Sequence, residues 1–221
     1  MRSLSRHAKL DQFTLDIEFL LISVVQGVAL SVLATSSIEP ISQLNLAVIP
    51  YIISAFLLLF IYWSQAIIHA ISFIDWPLDL PHNFLYFLAS FVQVLSFSKV
   101  GDPLHWFAFS AGLFGVGLVL YYVDYHLILN RKAEFEESKS GKALYNHIVS
   151  GHLFEMRYLV PAGFIFNVIV ACFIWKQPDM MLTQNYHLYA IAIQVLFLAG
   201  VLMNSIKSFK SRSLLIENII D

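Results

Sequence analysis

Long apolar runs, each closed by a short polar or proline-bearing break, dominate this chain from end to end. A bilayer's hydrocarbon core takes about 20 helical residues, and six segments approach that length: Phe13–Ser36, Leu46–Ser72, Asn83–Ser98, Leu104–Leu129, Phe154–Trp175 and Tyr186–Ile206. The third is the shortest and carries Ser90, Gln93 and Ser96, which suits a short or tilted inner helix. Glu39-Pro40, Pro77 to Pro81, Gly101-Asp102-Pro103 and Gln177-Pro178-Asp179 all resist helix continuation and punctuate the runs. The pattern predicts an all-α, single-domain, polytopic membrane protein with six transmembrane helices, and shows no internal repeat. The first run exceeds the apolar region of a typical signal peptide, and Thr-Ser-Ser-Ile-Glu-Pro makes a poor cleavage site, so it reads as an uncleaved span.

Lys and Arg collect on cytoplasmic flanks. With six spans, one side holds Arg2, Arg6, Lys9, Arg131, Lys132, Lys139, Lys142, Arg157, Lys207, Lys210 and Arg212, and the other only Lys99 and Lys176. That asymmetry predicts both termini in the cytoplasm and a multi-pass protein of the plasma, or bacterial inner, membrane. The segment 130–153 becomes the largest cytoplasmic piece. Its mixed charges at helical spacing predict an extension of the fourth span, with turns at Gly141 and Gly151. A solvated face explains such a run, and docking of a cytoplasmic partner is the alternative.

Composition supports the membrane reading. Hydrophobic residues make up 58% of the 221 and charged residues only 13%, about half the usual share for a soluble domain. A net charge of -2 gives no case for nucleic acid, and one cysteine, Cys172, excludes an internal disulfide. No phosphate-binding glycine loop, His-Glu-x-x-His or Gly-x-Ser-x-Gly is present. No metal or cofactor is expected, and the reading is that of a non-enzyme. Asp16, Glu18, His69 and Asp124 suggest no catalytic pairing in sequence.

Uncharged polar residues within the spans are the remaining candidates for chemistry: Ser23, Gln26, Ser31, Gln65, His69, Gln93, Asn167 and Gln194. An unpaired amide in hydrocarbon costs several kcal/mol, so these groups face other helices or water. Interhelical cross-links of about 1 kcal/mol each are one reading, and a polar path is the other. On the first span, Asp16, Ser23, Gly27 and Ala34 share one side, with Leu20 and Leu30 at its margin. Ser23, Gly27 and Ser31 form a small-residue stripe that permits close approach of identical helices or packing within the subunit. Asp16 at its entrance would draw cations. Gly112, Gly115 and Gly117 form a second close-packing surface on the fourth span. A six-helix bundle this small leaves little room for a pore of its own, so a ring of subunits around the first span, a tetramer by preference, is expected.

The order of these features resembles the six-helix potassium channels without a pore loop, the lysosomal and bacterial transmembrane protein 175 family. The likeness covers roughly residues 50–200. It rests on Tyr62-Trp63 followed by His69 and Ile74-Asp75, on Asn83-Phe-Leu-Tyr-Phe-Leu opening the third span, and on Arg157-Tyr-Leu-Val-Pro161 opening the fifth. The chain departs at the family's signature, an Arg followed by Phe-Ser-Asp on the first span. Here Arg6 precedes Phe13-Thr14-Leu15-Asp16. The resemblance implies Asp16 as counterpart of the motif acid and Trp63, His69 and Asn83 as polar contacts of the scaffold. Gln65 joins these scaffold contacts because it shares a helical face with Tyr62 and His69, which suits a hydrogen-bonded clasp between the second and third spans. A pore lined by Leu20, Ser23, Gly27 and Leu30 follows from helical phase, and the resemblance implies it further. Three functions stay open: an oligomeric cation channel, a membrane subunit holding a cytoplasmic partner through 130–153, and a small transporter or intramembrane enzyme.

Overall fold

A computed structural model describes the backbone of residues 2–72, 80–130, 132–135 and 139–220. The side chains of 2–16, 18, 69–72, 80, 134, 139, 140 and 216–220 lie outside the described residues, and with them the site candidates Asp16 and His69. The described chain is all-α: α1 (Arg2–Ser42), α2 (Ile49–Ser72), α3 (Leu80–Phe97), α4 (Pro103–Asn130), α5 (Lys132–Phe135), α6 (Lys139–Phe154), α7 (Val160–Lys176) and α8 (Tyr186–Ile220). Two π-helical turns, Glu155–Leu159 and Asp179–Thr183, flank α7. Five helical stretches are long and apolar enough to cross a membrane: Phe19–Ser42, Ile49–Ile68, Pro103–Asn130, Gly141–Lys176 and Tyr186–Leu215. The 18-residue α3 is not among them, yet it packs between α1 and α4 as a full member of the bundle.

Helix contacts run in a closed circuit: α1 on α2, α2 on α8, α8 on α7, α7 on α4, α4 on α3 and α3 back on α1. Tyr51 meets His187 near the starts of α2 and α8, and Gln65 meets Ser205 fourteen and eighteen residues further on, so these two helices run parallel. Trp106, Phe107, Tyr51, Phe97, Ile191 and Leu198 fill the interior and are almost fully buried.

The breaks have distinct local chemistry. Asp102 caps α4, accepting from the His105 backbone N–H at 3.2 Å, and Pro103 occupies the first helical position, where its missing donor costs nothing. At Pro40 the helix does not stop. α1 carries this proline inside and ends two residues later at Ser42. The end is a Schellman turn: the Asn45 N–H donates to the Pro40 carbonyl, the Leu44 N–H donates to Ile41, and Leu44 takes φ 53°. Leucine rather than glycine in that left-handed position is a local cost that the closed hydrogen bonds offset.

The expectation of turns at Gly141 and Gly151 also gives way. α6 runs through both and passes without a break into the π turn and α7. Leu144, Tyr145 and Ile148 supply the reason. They cluster with Ile128 of α4 and Leu215 of α8 into a separate apolar core that pins α6 down. Pro161 explains the π turn. It has no N–H for the Arg157 carbonyl, and its ring crowds the preceding turn. Widening the helix, with the Val160 N–H donating five residues back to Glu155, relieves both problems.

Candidate functional site

Two polar clusters mark the two ends of the bundle interior. At the end where α2, α4 and α8 begin, Tyr51 Oη shares a 2.8 Å hydrogen bond with His187 Nδ1. The Trp106 indole N–H donates to Gln194 Oε1 at 3.0 Å, and the Tyr51 and Trp106 rings meet edge to face. These contacts tie α2, α4 and α8 together across the interior.

The opposite cluster is larger and contains charge. Glu155, only 5% exposed, accepts from Tyr121 Oη at 2.8 Å and from Gln65 Nε2 at 3.4 Å. Gln65 also donates to Ser205 at 3.0 Å, so one side chain joins α2, α8 and the π turn. His152 stacks on Tyr121, ring centres 4.8 Å apart, and donates through Nε2 to the Tyr121 carbonyl at 2.7 Å. Arg212 of α8 is buried beside Gly151 and acts electrostatically on both Glu155 and Tyr121. Nearby, His82 Nδ1 donates to Asp124 Oδ1 at 2.8 Å, joining the start of α3 to the last third of α4. Asp124 is 1% exposed.

Between the clusters lies a cavity of about 170 Å³. All six long helices of the circuit contribute to its wall. Most of that wall is apolar, including Ile22, Leu58, Ile61, Phe114, Leu159, Val160, Phe197 and Leu198. Its polar groups lie toward the charged end: Tyr62, Gln65, His82, Asn83, Tyr86, Tyr121 and Glu155. Asn83 is half-buried and makes no hydrogen bond among the described residues. The arrangement is a pocket with an oily body and one hydrogen-bonding end.

Close helix approach shapes the cavity. Gly163 of α7 faces Phe114 of α4, and a Cβ on that glycine would sit 2.5 Å from the ring. A Cβ on Gly115 would sit 3.3 Å from the Phe164 ring, and one on Gly112 would sit 3.4 Å from Val92. The glycines singled out on the fourth span thus serve packing on α7 and α3.

No known protein family, curated protein or solved structure matches this chain.

The sequence-derived site residues separate into two sets. Leu20 is 64% exposed and Leu30 44% exposed, and Ser23, Gly27 and Ser31 are exposed beside them. They form the outward face of α1, and a Cβ on Gly27 would meet nothing within 4 Å. Ile22, Gln26, Ala29 and Leu33, on the other face, turn into the bundle. The small-residue stripe therefore does not serve packing within the subunit. Among the scaffold residues, Gln65 and Asn83 reach the cavity wall. Trp63 instead lies on the outer surface, edge-on to Phe60, and makes no hydrogen bond among the described residues. Tyr62 supplies the link between α2 and α3, donating to the Tyr86 carbonyl at 2.9 Å. Gln26 and Gln93 join α1 to α3 by a reciprocal amide pair at 3.2 and 3.4 Å.

Sequence reasoning missed Glu155, Tyr121, His82 and Arg212. A glutamate six residues before a proline, inside an otherwise apolar run, was the available signal for the first of them.

Proposed function

We propose that this chain is a six-span integral membrane protein, with both termini in the cytoplasm and α3 as the sixth span, that binds a small amphipathic molecule in its interior cavity. The carrying observation is the cavity itself: an apolar chamber walled by every long helix, with Glu155, Gln65 and Asn83 among its polar lining. A bundle with only structural duties fills such a space with side chains, because empty volume forfeits packing contacts. The Lys/Arg asymmetry supports the orientation and puts the charged end toward the cytoplasm. This reading assigns the protein binding, and transport if the occupant crosses, without a chemical reaction.

Its test is saturable binding of ethylcyclohexane, a neutral probe of the cavity's size, to the protein in lipid nanodiscs by ligand-observed NMR. Gly117→Leu, which places a side chain into the cavity from α4, is expected to weaken binding at least tenfold. Equal binding to wild type and Gly117→Leu would sink the proposal.

A second reading keeps the homo-oligomeric cation channel, a tetramer selective for potassium with a pore lined by α1. The outward exposure of Leu20, Ser23, Gly27 and Leu30 favours it, since that face has no partner within the chain. Single-channel recording in planar bilayers separates the two. Current that vanishes when Gly27→Leu narrows the α1 face supports the channel, and silence under every ion gradient removes it. The exposed side of α5 and α6 remains available to a cytoplasmic partner under either reading.

A further inference from the structure

Buried serines in these helices have a default partner, the carbonyl one turn back. Ser37, Ser90, Ser96 and Ser205 each donate to the carbonyl four residues earlier in their own helix. Ser54 of α2 and Ser110 of α4, both 0% exposed, do not, and neither hydroxyl has a hydrogen bond among the described residues. Asn167 of α7 and Gln194 of α8, each 1% exposed, are only half-served. Asn167 donates to the Gly163 carbonyl and Gln194 accepts from the Trp106 indole, which leaves Asn167 Oδ1 and Gln194 Nε2 open.

Helix packing brings these four side chains to one level. Phe114 against Gly163 and Val160 against Gly117 set the antiparallel register of α4 and α7, and that register puts Ser110 opposite Asn167. Trp106 bonds Gln194 and meets Tyr51 edge to face. Ser110 lies four residues beyond Trp106 and Ser54 three beyond Tyr51, on helices that begin at the same end. Both hydroxyls therefore stand within about one helical turn of the Gln194 amide in height. Val92 against Gly112 brings Gln93 of α3 to the same level, and Gln93 pairs with Gln26 of α1. Each of the six long helices thus gives one buried, neutral polar side chain to a single belt. It lies one turn beyond the cavity, where Leu58, Phe114 and Leu198 follow Ser54, Ser110 and Gln194 by four residues.

The open atoms select the ligand. Gln26 and Gln93 serve each other. Asn167 Oδ1 only accepts, Gln194 Nε2 only donates, and the two hydroxyls do both. A cation suits the first and is opposed by the second, and an anion reverses the mismatch. Water satisfies all of them. The hydrocarbon around the bundle offers no partner, and polar groups held beyond direct reach of one another are where bridging water sits.

We infer that this belt is a water-binding site, in which bound water accepts from Gln194 Nε2 and donates to Asn167 Oδ1, with the Ser54 and Ser110 hydroxyls as further partners. The inference goes beyond the binding function proposed above and holds whatever occupies the cavity.

Water-edited solid-state NMR on the full chain in lipid bilayers tests it. Magnetisation from water is expected to reach the Gln194 side-chain amide at least threefold faster than the mutually paired amides of Gln26 and Gln93. Ser54→Ala with Ser110→Ala should slow that transfer at least twofold, and each single variant should lower the unfolding temperature, because a partner of the bound water is lost. A dry belt gives the opposite signs. Gln194 would then receive magnetisation no faster than the paired amides, and both serine variants would melt higher, because an unpartnered buried hydroxyl has been removed. Either result overturns the inference, as does transfer to Gln194 that the double variant leaves unchanged, which would place the water elsewhere.

Discussion

Replacing His82 by leucine is expected to destabilise the protein by about 3 kcal/mol, read from thermal or denaturant unfolding in detergent micelles. Asp124 is 1% exposed and accepts a hydrogen bond from His82 Nδ1 at 2.8 Å. Removing the donor strips a buried acid of compensation, and such changes cost about 3–5 kcal/mol. Asp124 has further contacts, which places the expectation at the lower end of that range. The decisive measurement is the double variant. His82→Leu with Asp124→Leu removes both the donor and the charge it compensates, so its cost should fall short of the sum of the single variants by at least about 1 kcal/mol. Strict additivity would show that the two side chains are not energetically paired.

Gly163→Ala carries the second large effect. In a helix interior alanine normally gains about 0.5–1 kcal/mol over glycine. Here the new Cβ would lie 2.5 to 2.7 Å from three atoms of the Phe114 ring, so α4 and α7 must part or the ring must leave its rotamer. Overpacking of this kind costs about 1–3 kcal/mol, which outweighs the propensity gain. A net loss of about 1–2 kcal/mol is expected. Phe114→Leu in the same chain should recover part of it by removing the ring edge that collides. A stabilised Gly163→Ala variant would mean that the α4–α7 interface is looser than described.

These two interfaces differ in how far the sequence announced them. Asp102-Pro103 declares the start of α4 locally, because a cap and its proline need only their own turn. The apolar runs declare their helices for the same reason, since backbone in hydrocarbon has no alternative to internal hydrogen bonding. Pro40 misleads because a proline's cost depends on where in the helix it falls, and a last turn closed by a Schellman motif absorbs it. The site residues were illegible for a different reason. His82 and Asp124 are 42 positions apart, and Gln65 and Glu155 are 90 apart. Such pairs are products of helix arrangement, which periodicity within one span does not encode. The α1 stripe shows the limit most plainly. Helical phase grouped Leu20, Ser23, Gly27 and Leu30 correctly, but small residues suit an inner contact and an outer one equally. Only the amide of Gln26, which requires a partner such as Gln93, marks the inward side.

The unbroken path from α6 through the π turn into α7 has a mechanical consequence. Residues 139 to 176 make one rod of roughly 57 Å, at about 1.5 Å per residue, with its weakest joint at Glu155–Leu159. α6 is the arm outside the bundle interior and α7 the arm within it, so the joint is a fulcrum. A sideways load on α6 arrives there as torque, and the first side chain it re-aims is Glu155, the acid in the cavity wall.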